Sequence, residues 1–322
     1  MARLYFTIDT EYESGFTAKH GRDSRAANFD RAVACRMSDG EAGIFYQMDV
    51  FDRCGMKAVF FVDPMPAMLW GTGAIADIVE PIVTRGHEVQ LHMHTEWLAL
   101  AGDAAIVPDR GPNMKDYSQE EQCALLSYGR DVLEAAGAPR PKVFRAGNYG
   151  ANDDTLRALA QLGFTHDSSH APAIAGGACA IDLGPQHRSP LQREGVVEIP
   201  VSAIGCEESG LRHGQFTALG IHELKAMLAY AAASEHKDIT LVSHSFELVS
   251  RSKNRINPLL CRRFEKFCEA VRDNPAVEAV TYAQHAPDVP PEGSETPAFP
   301  ANRVHKALRL AEQAVSNALY GG

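Results

Sequence analysis

The sequence lacks several features that would assign it to a particular class of protein. It contains no stretch of about 18 apolar residues, so we expect no membrane span. Its N-terminus has no basic segment followed by an apolar run and a small-residue cleavage site, so we expect no signal peptide and a cytoplasmic location. Basic residues are in deficit, with 31 Lys and Arg against 41 Asp and Glu, and the net charge of -10 argues against a nucleic-acid binder.

Paired cysteines are also missing. The seven cysteines are scattered and show no CxxC spacing, so we expect reduced thiols and neither a disulfide framework nor a zinc finger. What remains is a chain of 322 residues that is 45% hydrophobic and 22% charged, an ordinary composition for a soluble globular protein. The length suits a single α/β barrel.

Short apolar strand patterns alternate with helical patterns along most of the chain. The predicted strands cover residues 4–9, 57–63, 88–94, 142–145, 164–168, 196–201, 239–244 and 277–282. The predicted helices cover residues 41–54, 74–85, 118–136, 153–162, 221–234 and 258–272. This alternation predicts a parallel sheet, either open and doubly wound or closed into a barrel. Residues 287–300 are rich in proline and precede a predicted helix at 303–319, so we divide the chain into one domain, 1–286, and a C-terminal extension, 287–322.

Ionisable residues stand at or near the ends of these strand patterns. They are Asp9, Glu11, His92, His94, Arg145, Asp167 and His244. In parallel α/β folds the carboxyl ends of the strands lie together and carry the active site. We therefore expect these seven side chains to form one site.

Four of these residues form two closely spaced pairs that suit a metal centre. Asp9 and Glu11 are two residues apart in an extended segment and face the same side, so one carboxylate can bind a cation while the other acts as a base. His92 and His94 have the same spacing and provide two imidazoles, a common half of a zinc-type site. Two alternatives stay open: either Asp9 or Glu11 is the metal ligand, and Glu96 can replace His94 as a ligand.

The other three residues suit acid–base chemistry. Arg145 can pair with Asp9 and keep its carboxylate ionised, because an adjacent cation lowers a carboxyl pKa. His244 follows an apolar strand, titrates near neutral pH and can protonate a leaving amine. Asp167 can orient that histidine and tune its pKa.

The order and spacing of these residues resemble the NodB-type polysaccharide deacetylases, carbohydrate esterase family four in the broad sense. Five segments between residues 3 and 282 carry the resemblance: FTIDTE, GHEVQLHMHTEW, FRAGNYG, HDSSH and LVSHSFE. The resemblance implies a single-domain distorted (β/α)7 barrel with an appended C-terminal helix and one divalent metal ion, often zinc. It also implies that Arg145 orients a base, Asp9, and that Asp167 tunes an acid, His244.

Two departures from the family pattern affect the substrate prediction more than the fold prediction. The usual adjacent pair of aspartates is replaced by Asp9-Thr10-Glu11, and the usual H-x-x-x-H is replaced by HMHTE. The superfamily also contains hydrolases of non-sugar imides and ureides. The family's metal ligands therefore correspond here to Glu11, His92 and His94, with the alternatives above.

We predict a metal-dependent hydrolase that removes an acetyl or formyl group from the nitrogen of an amino sugar or glycan precursor. One alternative is a C–N hydrolase of the same fold that acts on a non-sugar amide or cyclic imide. The other is a non-catalytic binding protein on a degenerate deacetylase scaffold. The expected partner is a small-molecule or glycan substrate, and self-association is left open. A polar, arginine-rich insert at 13–40 is expected to line or cover the site.

Overall fold

A computed structural model describes most of the chain. It covers residues 1–174, 176–206, 210–234, 237–291, 294 and 296–320. Five positions of the predicted C-terminal extension lie outside the described residues: 292, 293, 295, 321 and 322.

Fifteen strands and eleven α-helices are present in the described part of the chain. The strands are β1 (Ala2–Thr10), β2 (Arg36–Met37), β3 (Gly40–Glu41), β4 (Val59–Val62), β5 (Glu88–Met93), β6 (Val143–Ala146), β7 (His166–Asp167), β8 (Leu191–Arg193), β9 (Val196–Glu198), β10 (Ala203–Cys206), β11 (Gly210–His213), β12 (Asp238–His244), β13 (Val249–Ser250), β14 (Arg255–Ile256) and β15 (Val277–Ala279). The helices are α1 (Ser14–His20), α2 (Arg25–Asn28), α3 (Ile44–Arg53), α4 (Ala67–Trp70), α5 (Thr72–Thr84), α6 (Trp97–Ala101), α7 (Gln119–Ala135), α8 (Asp153–Gln161), α9 (Ile221–Ala233), α10 (Pro258–Arg272) and α11 (Arg303–Tyr320).

The central sheet has the strand order β12-β1-β4-β5-β6-β7-β9-β8, and β15 pairs with the start of β1. Its pairings are parallel except for the antiparallel pair of β8 and β9. The sheet curls into a half barrel, which confirms the predicted α/β fold of the NodB type. Backbone hydrogen bonds from Ser202 to Thr240 (3.1 Å) and from Val242 to Gly214 (2.9 Å) tie the chain beyond β9 to β12.

Successive residues of β1 are buried, because both faces of the strand are covered. Parallel strands that are covered on both faces carry apolar side chains at successive positions, as Leu4, Tyr5 and Phe6 do here. Phe6 packs with Phe51 and Phe264, at ring-centroid distances of 5.2 and 5.7 Å. Its neighbour Tyr5 belongs to a separate cluster and stacks on Tyr282 at 4.9 Å. The two faces of the strand therefore pack into two separate apolar clusters.

Most predicted helix boundaries agree with the structure to within a few residues. The predicted capping box at the start of α7 is present, because Ser118 Oγ accepts from the amide of Glu121 (3.2 Å) and Glu121 Oε2 accepts from the amide of Ser118 (3.0 Å). The helix predicted from residue 41 begins instead at Ile44, because β2 and β3 form a hairpin that takes up Gly40–Glu41. The β10-β11 and β13-β14 hairpins had not been predicted.

The C-terminal helix α11 packs against the barrel. Arg263 of α10 lies 3.0 Å from Glu312 of α11, and the side chain of Asn257 donates a hydrogen bond to Ser316 Oγ (2.8 Å). The predicted appended helix is therefore confirmed, while the division at residue 286 stays a prediction. Among the described residues, no helix has both the length and the apolar character that a membrane crossing requires.

Candidate active site

Strand register brings the predicted site residues to one edge of the sheet. Asp9 on β1 lies beside His244 on β12, and His92 on β5 lies beside Arg145 on β6. Both pairs are at or next to the carboxyl ends of their strands. The strand registers therefore bring these ionisable residues together as two neighbouring pairs.

Glu11 lies between the two histidines. Its Oε2 is 3.1 Å from Nε2 of His92 and 2.9 Å from Nε2 of His94. One donor atom from each of the three residues lies within 4.8 Å of the others. This group contains Glu11 and not Asp9, and His94 and not Glu96.

The second nitrogen of each imidazole has a partner that fixes the ring. His92 Nδ1 lies 2.8 Å from the backbone carbonyl oxygen of Arg145, which can only accept, so this nitrogen carries the proton. His94 Nδ1 lies 3.1 Å from a carboxylate oxygen of Glu96. Both arrangements leave Nε2 facing Glu11, in the manner of metal-binding histidines held by a carbonyl or carboxylate. Glu96 therefore orients His94 instead of joining the group.

Asp9 is held by a buried guanidinium. Nη1 of Arg145 lies 2.6 Å from Asp9 Oδ1, and the same guanidinium donates to the carbonyl oxygen (3.2 Å) and the hydroxyl (3.1 Å) of Ser168. Burial raises the pKa of Asp9, but the charges of Arg145, His92 and His244 outweigh it and lower that pKa below its usual value. The Asp9 carboxylate is therefore ionised and fixed in orientation.

His244 is the second acid–base group near Asp9, with its Nε2 4.0 Å from Asp9 Oδ2. Its Nδ1 lies 2.9 Å from Oε1 of Glu247, and the other oxygen of Glu247 accepts from Ser243 Oγ (3.0 Å). Burial lowers the pKa of His244, whereas the hydrogen bond and charge of Glu247, with Asp9, raise it to about 9. The expected contact with Asp167 is absent, and Glu247 takes the place predicted for it.

Asp167 instead faces Glu198, its direct neighbour in the β7-β9 register. Asp167 accepts hydrogen bonds from the amide (3.0 Å) and hydroxyl (2.8 Å) of Ser169, and Glu198 accepts from the amide of His170 (2.9 Å). Both carboxyl groups are fully buried, and burial raises both pKa values; for Glu198 the neighbouring Asp167 adds to the rise. Asp167 does not reach His244, because the register of β7 and β9 directs it to Glu198.

Two further acidic residues at the site had not been predicted. Asp63 follows β4, is fully buried, and accepts from the backbone amides of Met65 (3.1 Å) and His94 (3.4 Å). Burial raises the pKa of Asp63 to about 7 despite the nearby histidines. Selecting ionisable residues at the ends of predicted strands, which we call the strand-end rule, could have found Asp63, because Asp63 closes the predicted strand 57–63. The other residue is Glu247, whose only signal was its position three residues after His244.

Comparison with known families gives a match over residues 23–166 to the polysaccharide deacetylase family. The matched range contains His92, His94 and Arg145. The matched segment is a little under half of the chain, and over that segment the chain is similar to the polysaccharide deacetylases. The match supports the function class of a carbohydrate deacetylase. Asp9, Glu11 and the residues beyond 166 lie outside it, so their roles depend on geometry.

Solved structures share the fold at low sequence identity. A Mycobacterium smegmatis protein described as a candidate polysaccharide deacetylase is 21% identical, with a TM-score of 0.54 over 88% of this chain and 87% of that chain. A 4-alpha-glucanotransferase from Thermococcus litoralis is 11% identical, with a TM-score of 0.53 over 88% of this chain and 40% of its own. A family 4 carbohydrate esterase from Streptomyces lividans in complex with acetate is 11% identical, with a TM-score of 0.45 over 90% of this chain and 98% of its own.

The glucanotransferase shares the fold but carries a different activity name, so the fold alone does not determine the reaction. Comparison of the sequence with curated proteins gives no match. The reaction must therefore be argued from the side chains of the site.

Proposed function

We propose that this protein is a metal-dependent hydrolase that removes an N-acyl group from an amino sugar or a sugar-containing glycan precursor. One observation carries the proposal: Glu11, His92 and His94 converge next to an ionised, buried Asp9, with His244 on the far side of that carboxylate. A metal centre, a base and an acid are the three parts that metal-assisted amide hydrolysis needs.

The residues fit a divalent metal ion. Two imidazole nitrogens and one carboxylate oxygen form the ligand set of many catalytic zinc sites, which keep a further position for water or substrate. Glu11 Oε2 is buried and faces the Nε2 atoms of His92 and His94, at 3.1 and 2.9 Å. With the ring proton of each histidine on Nδ1, all three facing atoms are acceptors, and such a group is costly unless a cation satisfies it. We propose zinc as the metal, bound by Glu11, His92 and His94.

The chain's own residues would then divide the proton transfers. A bound divalent ion would polarise the acyl carbonyl and lower the pKa of a water molecule to about 7. Asp9 accepts a proton from the attacking water, and Arg145 holds the carboxylate ionised and in place. His244 donates a proton to the departing nitrogen as the C–N bond breaks and the new C–O bond forms. Glu247 positions His244 and favours its protonated form.

The first test is the metal content of the purified protein, measured by elemental mass spectrometry. We expect about one zinc per chain in the wild type and none in the His92→Ala, His94→Ala double variant. The control replaces two exposed helical histidines, His20 and His222, by alanine and should keep the metal. Zinc retained by the His92, His94 variant would contradict the ligand assignment.

The second test is release of acetate or formate from N-acyl amino sugars, compared with hydrolysis of cyclic imides. Turnover of the sugars that depends on zinc would support the proposal. Turnover of imides alone would move the activity to the non-sugar C–N hydrolases. A wild-type protein that binds no metal after zinc reconstitution would favour the binding-protein alternative. The cytoplasmic location and self-association stay predictions from the sequence.

A further inference from the structure

A pocket of about 460 Å³ lies directly beside His244. We call it the arginine pocket, after Arg31 and Arg251, which line it together with Phe246 and His244. Its size falls in the range of small-molecule sites. Arg31 comes from the 13–40 insert and Arg251 from the turn between β13 and β14, so two segments distant in sequence build it.

The arginine pocket lies on the leaving-group side of the candidate active site. If the acyl carbonyl occupies the centre formed by Glu11, His92 and His94, the amine nitrogen lies at His244. The group attached to that nitrogen then extends past His244. There the Phe246 ring stacks on the imidazole (centroids 5.1 Å apart), and the Arg251 guanidinium carbon lies 4.1 Å from the Phe246 centroid.

The two guanidinium groups share one carboxylate. Glu13 Oε2 lies 2.9 Å from Nε of Arg31 and 3.2 Å from Nη1 of Arg251. Two cations and one anion leave a net positive charge, in a chain whose overall charge is -10. Arg31 Nη1 also donates to the backbone carbonyl oxygen of Arg251 (3.3 Å). Both arginine side chains are about one third exposed, so part of each guanidinium is accessible to a ligand.

The acidic residue on the pocket wall does not cancel this charge. Glu247 lines the pocket, but its carboxylate accepts hydrogen bonds from Gln215 and Ser243 and contacts His244. The protonated imidazole of His244 balances the charge of Glu247. The charge left over therefore belongs to Arg31 and Arg251.

We propose that the arginine pocket binds an anionic substituent, a phosphate or a carboxylate, on the amino-sugar part of the substrate. Guanidinium groups bind both anions through paired N–H donors. The orientation of the substrate rests on the proposed N-deacylase function. Glu13 acts as an internal counterion that holds the two arginines side by side until the substrate anion arrives.

The test measures binding by calorimetry to the zinc-loaded protein at low salt. The probes are glucosamine, glucosamine 6-phosphate and the corresponding amino-sugar uronic acid, which represent the neutral, phosphate and carboxylate forms of the amine product. We expect at least one anionic probe to bind about tenfold or more tightly than glucosamine, because hydrogen bonds between a guanidinium and an anion are charge-assisted and stronger than those to a neutral hydroxyl. Whichever anionic probe binds more tightly identifies the substituent.

Three variants test whether the arginine pocket causes the preference for anionic probes. Arg251→Ala should remove most of the preference for the anionic probe, whereas Arg251→Lys should keep part of it. Glu13→Gln should strengthen anion binding, because it removes the internal counterion. Arg255→Ala, an exposed arginine nearby on β14, is the control and should change nothing.

If Glu13, Arg31 and Arg251 only stabilise the fold, the binding measurements should give a different result. Glu13→Gln would then weaken binding of all probes and lower the melting temperature, with no change in the preference between charged and neutral probes. That result, or a wild type without preference for an anionic probe, would overturn the inference. If Arg251→Ala does not fold, the sign of the Glu13→Gln effect decides. Acyl release is measured separately, so charge-selective binding without turnover would reject the proposed function and keep the binding site.

Discussion

Arg145 reaches across the interior of the curled sheet to Asp9, with 2.6 Å between Nη1 and Oδ1. The two residues lie on β6 and β1, which β4 and β5 separate in the sheet order. In a flat sheet these strands would be about 14 Å apart, since neighbouring strands are spaced by about 4.8 Å. An arginine cannot span that distance, so the ion pair depends on the curl. The geometry of the base is therefore a property of the whole barrel.

Replacing Arg145 should damage both stability and catalysis. Arg145→Met leaves the Asp9 carboxylate buried without its partner, and breaking a buried pair in this way costs about 3–5 kcal/mol. The pKa of Asp9 should rise, so the acidic limb of the profile of kcat/KM against pH should move to higher pH. Arg140→Met, an exposed arginine, serves as the control. An unchanged acidic limb would show that Arg145 does not hold the base ionised.

Asp9 and Glu11 should separate into different roles when each is made neutral. Asp9→Asn should keep the zinc but lower kcat by about 10²–10⁴-fold, the usual contribution of a general base. Glu11→Gln should weaken zinc binding, because a neutral amide is a poor replacement for a carboxylate ligand. Elemental analysis and acyl release of both variants provide the measurement. Zinc loss in Asp9→Asn with retention in Glu11→Gln would reverse the assignment left open by the sequence.

The strand-end rule explains how much of the site could be predicted from the sequence. Each candidate was selected because it closes or follows an apolar strand, and parallel topology places such ends together whatever the strand order. That reasoning required no knowledge of how the sheet curls or of the register in which its strands pair. It predicted a single site and left open whether Asp9 or Glu11, and whether His94 or Glu96, would bind the metal. The structure groups Glu11 with His92 and His94, and it places Asp9 next to Arg145 and His244.

The partner of His244 could not be predicted in the same way. The contact with Glu247 depends on the turn that follows β12, which brings a residue three positions later back to the imidazole. Asp167 is directed to Glu198 by the register of β7 and β9, and the sequence does not encode a register in any local pattern. The meeting of Arg31 and Arg251, 220 positions apart, likewise exists only in the folded chain.

Removing the charge of Glu247 should change the pH dependence of activity. Glu247→Gln keeps a hydrogen-bond acceptor for Nδ1 of His244 but removes the carboxylate that raises the pKa of this imidazole to about 9. The pKa should fall toward about 6.5, so the alkaline limb of kcat/KM should move to lower pH by about one unit or more. The control is Glu265→Gln, whose side chain is 40% exposed. A residue with only a packing role would lower activity equally at every pH.

The buried pair of Asp167 and Glu198 should make stability depend on pH. The pKa of Glu198 is raised well above its usual value by burial and by Asp167. A carboxyl group whose pKa is raised by folding contributes stability below its unfolded pKa of about 4.3, and that contribution is lost as pH rises through the folded pKa. The wild type therefore carries a cost at alkaline pH that a neutral side chain avoids.

Glu198→Gln should accordingly melt at a temperature close to the wild type near pH 5 and higher than the wild type near pH 9. The glutamine keeps the oxygen that accepts from the amide of His170 and offers an N–H group to Asp167. Each kcal/mol gained should raise Tm by roughly 2–4 °C in a domain of this size. Thermal unfolding at pH 5, 7 and 9 measures the difference, with exposed Glu278→Gln on β15 as the control. A difference that stays constant with pH would mean that Asp167 and Glu198 do not share a proton, since only titration within the pair makes the two proteins diverge.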